Sequence, residues 1–189
     1  KVALELGGKN PQIICADADL DAAVDAVVHG CFFNMGECCN SGSRILVHRS
    51  MAKEFMARVR ELAKAVTVGD PLDEKTKVGA IISQNQYDKI TGYVADAQKA
   101  GATLAIGGHP MTTESGRFFE PMIFEGVKPD MTIAKEEVIG PVLSAIEFES
   151  VEKAIEIANS TAYGLSAGVW TRDTDTAFRM ARGIRAGTI

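Results

Sequence analysis

The chain of 189 residues has no excess of positive charge: 20 Lys and Arg stand against 25 Asp and Glu, a formal net charge of -5. Bases scattered among carboxylates leave no footprint for a phosphate backbone, which argues against nucleic acid as a partner. No window approaches the roughly 18 apolar residues of a membrane span, and Lys1-Val2-Ala3-Leu4 does not begin the basic, apolar, small-residue order of a signal peptide. No membrane partner is therefore expected. Cysteine is sparse, limited to Cys15, Cys31, Cys38 and Cys39, at spacings that match neither a zinc framework nor a secreted disulfide scaffold. A reducing, cytoplasmic compartment fits this usage. A bridge between the neighbours Cys38 and Cys39 would strain disulfide geometry. His29, His48 and His109 lie far apart without ligand spacing, so no metal is assigned. No Gly-rich phosphate loop follows a strand, and no repeat, low-complexity tract or long linker divides the chain.

What is present is ordinary globular material. A hydrophobic share of 46% can build a sizeable core, so the chain fits one domain or a large part of one. It opens without Met and closes on Arg185-Ala186-Gly187-Thr188-Ile189, which reads as the entry into another strand. Both ends suggest a piece of a longer protein.

The apolar pattern predicts alternating elements. Residues 11–15 read as a short buried strand, followed by a helix capped by Asp17 or Asp19 that carries Leu20, Val24, Val27, Val28 and Cys31 and ends near Asn34 to Gly36. Ile45-Leu46-Val47 reads as the next strand. Ser50 is expected to cap a second helix that stops at Gly69-Asp70-Pro71, and Ser83 with Gln86 makes a capping-box pattern for a third, closed by Gly101. Strands are expected over 102–106, 118–125, 142–148 and 166–171, an exposed loop over 107–116, and helices over 151–159 and 175–184, the last capped by Asp173. This alternation predicts an α/β fold, a largely parallel sheet covered by helices on both faces.

The chemistry concentrates in two places. Residues 32–44, Phe-Phe-Asn-Met-Gly-Glu-Cys-Cys-Asn-Ser-Gly-Ser-Arg, set two thiols among small residues just before a strand, where a thiol can act as a nucleophile. Upstream, Leu4-Glu5-Leu6 places a carboxylate between apolar residues, an environment that would raise its pKa toward that of a neutral-pH base. Covalent thiol chemistry completed by an activated water follows from the pair. Cys15, Cys31 and Cys38 read instead as small core residues.

These segments resemble the signatures of the NAD(P)-dependent aldehyde dehydrogenases, along nearly the whole chain. Leu4-Glu5-Leu6-Gly7-Gly8-Lys9 is similar to the family's glutamate signature and Gly36-Glu37-Cys38-Cys39 to its cysteine signature, in which the residue three after the glycine is the nucleophile. That register selects Cys39. The interval, 39 − 5 = 34 residues, is the family's usual one, and Glu136-Glu137-Val138-Ile139-Gly140-Pro141-Val142 resembles its cofactor motif. Val68-Gly69-Asp70-Pro71-Leu72 and residues 158–165 are further echoes.

The resemblance implies the family's catalytic domain over residues 1–189, with the dinucleotide-binding domain upstream and a C-terminal remainder downstream. It implies that Cys39 attacks a small-molecule aldehyde, that hydride passes to NAD or NADP, and that Glu5 activates the water that releases a carboxylate from the thioester. Glu137 would hold the nicotinamide ribose, with Leu6, Gly7 and Ile139 beside the cofactor. Ile139 is a departure, because many relatives carry phenylalanine there. Phe33 would line the substrate tunnel or pack in the core, and Gln86 would reach the nucleotide or serve its helix cap. The family also implies a homo-oligomer, a dimer or tetramer. A coenzyme A-acylating enzyme is the alternative within the class, disfavoured by Glu5, and a noncatalytic oligomerisation module is the alternative outside it. Without the cofactor domain, the 189 residues alone are expected to be inactive.

Overall fold

Strands that are apolar on both faces need cover on both sides, and the chain supplies it from its own helices. The computed structural model describes residues 1–113 and 116–189. The elements are β1 (Pro11–Ile14), α1 (Leu20–Phe32), β2 (Arg44–His48), α2 (Arg49–Lys64), α3 (Gln84–Lys99), β3 (Thr103–Ile106), β4 (Pro110–Thr113), β5 (Gly116–Phe119), β6 (Met122–Glu125), α4 (Thr132–Lys135), β7 (Val142–Phe148), α5 (Val151–Ala158), β8 (Gly168–Trp170) and α6 (Thr174–Gly183). Six strands form one sheet in the order β3-β6-β7-β2-β1-β8, parallel at every pairing except β3 with β6. The expected parallel α/β layer is therefore the observed one.

Side chains alternate across the sheet with period two. Ile14, Ile45, Val47, Ile123 and Leu143 face α1 and α2, where Val24, Val27, Phe55 and Val59 meet them. Ile13, Leu46, Met122, Phe124 and Ile146 face the other way, toward Ile90 of α3, Ile157 of α5 and Met180 of α6. Each such side chain, wholly buried, contributes about 1.5–3 kcal/mol. The central strands are thus packed on both faces.

Several boundaries differ from the sequence reading for physical reasons. Asp19 caps α1 by accepting from Ala22 N at 3.2 Å, and Asp173 caps α6 by accepting from Thr176 N at 2.9 Å. The cap of α2 is His48 rather than Ser50: its Nδ1 accepts from Ser50 N at 3.3 Å, and the helix starts at Arg49. An imidazole can replace the usual hydroxyl or carboxylate because its neutral ring offers one acceptor nitrogen. Residues 118–125 are two strands rather than one, β5 and β6, interrupted at Glu120-Pro121, where proline removes a ladder donor. The expected loop over 107–116 contains β4 and the start of β5, which pair antiparallel with each other, while its residues 114 and 115 lie outside the described residues. The strand expected over 166–171 shrinks to β8.

Candidate active site

In a parallel sheet the segments that precede the strands all arrive at one edge. Residues 7–10 precede β1, 38–43 precede β2, 136–141 precede β7 and 164–167 precede β8, and the pairings Pro11 with Arg44, Arg44 with Ser144, and Gln12 with Gly168 bring these flanks together. Segments as far apart as Asn10 and Ser166, 156 residues, thus share one end of the sheet.

The cysteine loop begins where α1 breaks. Asn34 (φ 49°), Met35 (φ 60°) and Gly36 (φ 69°) are consecutive left-handed residues, a conformation costing roughly 1–2 kcal/mol for each non-glycine. Asn34 offsets part of this, its Nδ2 donating to Glu37 O at 3.1 Å. Gly36 is obligatory: a Cβ there would overlap the carbonyl of Gly140, in the segment before β7. The turn then presents Cys38 half-buried and Cys39 exposed, whereas Cys15 and Cys31 are buried. Burial pushes the Cys15 thiol up to about 11 and the Cys31 thiol up to about 12, so both stay protonated and unreactive near neutral pH. Cys38 is less enclosed than a core residue, a partial correction to its expected packing role. Glu37, whose carboxylate accepts from Ile82 N at 3.2 Å, is raised above the usual carboxylate range by burial.

Asn10 fixes this loop. It is 2% exposed, and its Nδ2 donates to Cys39 O at 2.9 Å and to Ser41 O at 3.0 Å, while its Oδ1 accepts from Ser166 N at 3.0 Å. One side chain therefore ties the flanks of β1, β2 and β8. Gly8 lies under the same loop, since a Cβ on it would come within 2.7 Å of Cys39 O. The Cys39 N–H donates no hydrogen bond among the described residues.

Glu5 does not have the apolar setting expected of it. Residues 1–6 are exposed, with Val2 at 85%, Leu4 at 70% and Leu6 at 62%, so the described residues leave this segment open to solvent. The local alternation Leu-Glu-Leu describes a strand-like segment whose covering partner is not among these residues. The glutamate motif does reach the site two residues later, through Gly7 and Gly8.

Glu137 joins that motif to the segment before β7. Its Oε1 accepts from Gly8 N at 3.0 Å, and its carboxylate packs so closely on Gly7 that any side chain there would overlap it. Beside it opens a cleft of about 520 Å³ lined by Gln86, Lys89, Tyr93, Thr132, Glu137 and Ile139. Ile139 is left-handed (φ 53°) and 38% exposed, strained for a β-branched residue. Gln86 holds it: Nε2 donates to Val138 O at 2.9 Å and Ile139 O at 2.6 Å. Ser83 caps α3 by accepting from Gln86 N at 3.1 Å, but the Gln86 side chain is spent across the cleft and does not return to the cap. Tyr93 hydroxyl donates to Glu136 at 2.8 Å, and burial together with that carboxylate pushes the phenol up to about 12. Phe33 is 57% exposed beside His29, with ring centroids 5.4 Å apart, so core packing does not account for it.

The model of the aldehyde dehydrogenase family matches residues 1–189. The chain belongs to that family. It is 47% identical over its full length to the retinaldehyde dehydrogenase 3 of Homo sapiens, of which it covers 37%, and 43% identical to the mitochondrial benzaldehyde dehydrogenase of Antirrhinum majus, of which it covers 35%. Among solved structures it is similar to an NAD-dependent aldehyde dehydrogenase from Sinorhizobium meliloti, with a TM-score of 0.95 and 47% identity over 97% of this chain and 36% of that one. It is equally similar in fold to an indole-3-acetaldehyde dehydrogenase solved with NAD+, with a TM-score of 0.95 and 45% identity over 97% of this chain and 38% of that one. The chain thus spans little more than a third of the length of these relatives.

The sequence reading assembled the three motifs without their fasteners. Asn10, Lys9 and Arg44, all within 2% of complete burial, were not singled out from sequence, nor was the grip of Gln86 on a strained Ile139. Polar residues beside a strand give no sequence signal of which carbonyl they will meet. The one available clue was the density of glycine at 7, 8, 36 and 140, which marks close backbone approach.

Proposed function

We propose that the protein carrying this chain oxidises an aldehyde to a carboxylate with NAD or NADP, and that these residues are its thiol-bearing catalytic domain. The observation that carries the reading is the cysteine loop. Of four thiols, the one in family register, Cys39, is exposed, and its backbone is gripped by Asn10 while Glu137 stands on the neighbouring flank.

The residues present fit a nicotinamide nucleotide. Glu137 has one carboxylate oxygen engaged by Gly8 N–H and the other facing Gly7, where the lack of a Cβ leaves room for the acid itself, and acceptors of this kind suit ribose hydroxyls. Ile139 supplies an aliphatic rather than aromatic wall, and Leu6 and Gly7 flank the same edge. The dinucleotide, when bound, supplies the hydride acceptor.

In this mechanism Cys39 Sγ forms a bond to the aldehyde carbon, and the carbonyl electron pair moves onto oxygen, to which the Cys39 N–H would donate. Loss of hydride leaves an acyl group on Cys39 as a thioester. Glu5 takes a proton from water as the water attacks the thioester, and Cys39 leaves as thiolate. Glu5 would act as the base once the exposed segment 1–6 is covered, and Phe33 would border the aldehyde's path. Hydrolysis rather than transfer to coenzyme A follows from Glu5.

The exposure of Leu4, Leu6, Phe33 and Ile139 supports two further parts of the reading. These residues would be covered by the remainder of the protein or by another subunit in a dimer or tetramer, and the isolated 189 residues would be inactive. NAD-dependent aldehyde oxidation by the whole protein, followed at the reduced nicotinamide, tests the reading. Cys39→Ala is expected to abolish it and Cys38→Ala to retain most of it; the reverse pattern would overturn the assignment, as would turnover by the isolated chain for its inactivity.

A further inference from the structure

Two buried cations share one small hole. Lys9 and Arg44 are each 1% exposed, and among the described residues the buried side-chain polar atoms without a partner are Lys9 Nζ and Arg44 Nε. Both residues line a single cavity of about 10 Å³, together with Asn10, Tyr163, Ser166 and Arg185. The rest of the guanidinium is satisfied: Nη1 donates to Ile157 O at 2.9 Å and Nη2 to Ala158 O at 2.8 Å. What remains is one donor from Arg44 and the ammonium of Lys9, each costly to bury unpaired.

An acceptor serving these donors from the cavity has to be small. We propose that this cavity is a built site for one water molecule, whose oxygen accepts hydrogen bonds from Lys9 Nζ and Arg44 Nε at once. A space of this size is near the least that holds a water, and the site is polar, as an occupied one must be. A cation is excluded by the two charges already there. A halide has the right sign but is larger than water, and the charges of Glu137 and Glu136 already act on the Lys9 ammonium. Burial, reinforced by Arg44, lowers the Lys9 ammonium to about 8, as a poorly compensated pair of cations requires.

The position gives the water a structural task. Lys9 sits between Gly8, which underlies Cys39, and Asn10, which holds the cysteine loop; Arg44 opens β2 directly after that loop and reaches the end of α5. A water joining the two would tie the glutamate motif to the base of β2 and the turn after α5, beneath the nucleophile.

The test is a crystal structure of the whole protein grown with sodium bromide in place of chloride, with data collected at the bromine edge. Expected is one ordered light atom within hydrogen-bond distance of both nitrogens and no anomalous peak. An empty cavity in maps that order other buried waters would overturn the proposal, and so would a bromine peak, which would make this a halide site. In solution, exchanging chloride for acetate at constant ionic strength is expected to shift the melting temperature equally in the wild type and Lys9→Met. Chloride-dependent stabilisation confined to the wild type would likewise overturn it.

Discussion

Replacing Asn10 tests how the nucleophile is held more sharply than replacing the nucleophile itself. Asn10→Ala deletes two donated hydrogen bonds and one accepted one in a single step, leaving Cys39 O, Ser41 O and Ser166 N without their partner. Cys39 is exposed, so water can reach its carbonyl, but Ser41 is 7% exposed and its carbonyl has little access to solvent. With an unsatisfied buried group costing about 1–3 kcal/mol, the losses at Ser41 and Ser166 together set an expected destabilisation of about 2–6 kcal/mol. Asn10→Asp is nearly isosteric, yet it points a carboxylate oxygen at two carbonyl oxygens, so it is expected to be no milder than alanine. Urea unfolding gives the stability change, and the alkylation rate of Cys39 relative to Cys38 reports loop order. If Asn10→Ala costs under about 0.5 kcal/mol and leaves the alkylation ratio unchanged, the side chain does not position the loop.

Other consequences follow from groups around the same edge. Lys9 titrates near 8 when folded against 10.5 unfolded, held down first by burial and then by Arg44, with Cys31, Glu137 and Glu136 opposing. Between those values the unfolded chain binds more protons, so stability is expected to rise with pH, by at most about 3 kcal/mol. Denaturant midpoints should show that rise across pH 8 to 10.5 in the wild type and a flatter profile in Lys9→Met; parallel profiles would refute the assignment. Gln86→Ala frees the carbonyls of Val138 and Ile139 and is expected to cost about 1–2 kcal/mol and to raise the KM for the dinucleotide, measured by initial rates, with Cys39 alkylation unchanged. Iodoacetamide at neutral pH is expected to label Cys39 first, then Cys38, and to leave buried Cys15 and Cys31 unmodified until the protein unfolds, as peptide mapping would show.

The fold was legible because strand runs such as Ile45-Leu46-Val47 are apolar on both faces and alternate with helices of period near 3.6, a pattern that only a covered parallel sheet satisfies. The boundaries that escaped turn on local chemistry with weaker rules: an imidazole serving as cap at His48, and Pro121 separating β5 from β6. At the site, Gly36 and Gly7 were visible as motif glycines, and the structure gives their reason, a carbonyl of Gly140 and the carboxylate of Glu137 lying where a Cβ would be. Glu5 was misread in its surroundings because alternation reports that a face will be buried without saying by which segment. Arg44 was invisible because its partners, Ile157 and Ala158, are more than 110 residues away, and Asn10 because it joins Ser166, just as distant, to the backbone of the cysteine loop.

Trapping the acyl group tests the proposed chemistry most directly. In the whole protein with Glu5→Gln, incubated with aldehyde and NAD, the reaction is expected to stop after about one reduced nicotinamide per subunit. Tandem mass spectrometry that separates Cys38 from Cys39 should then find the acyl mass on Cys39. An adduct on Cys38, or full turnover with no adduct on either thiol, would contradict the assignment of Cys39 as nucleophile and Glu5 as the base that releases its product.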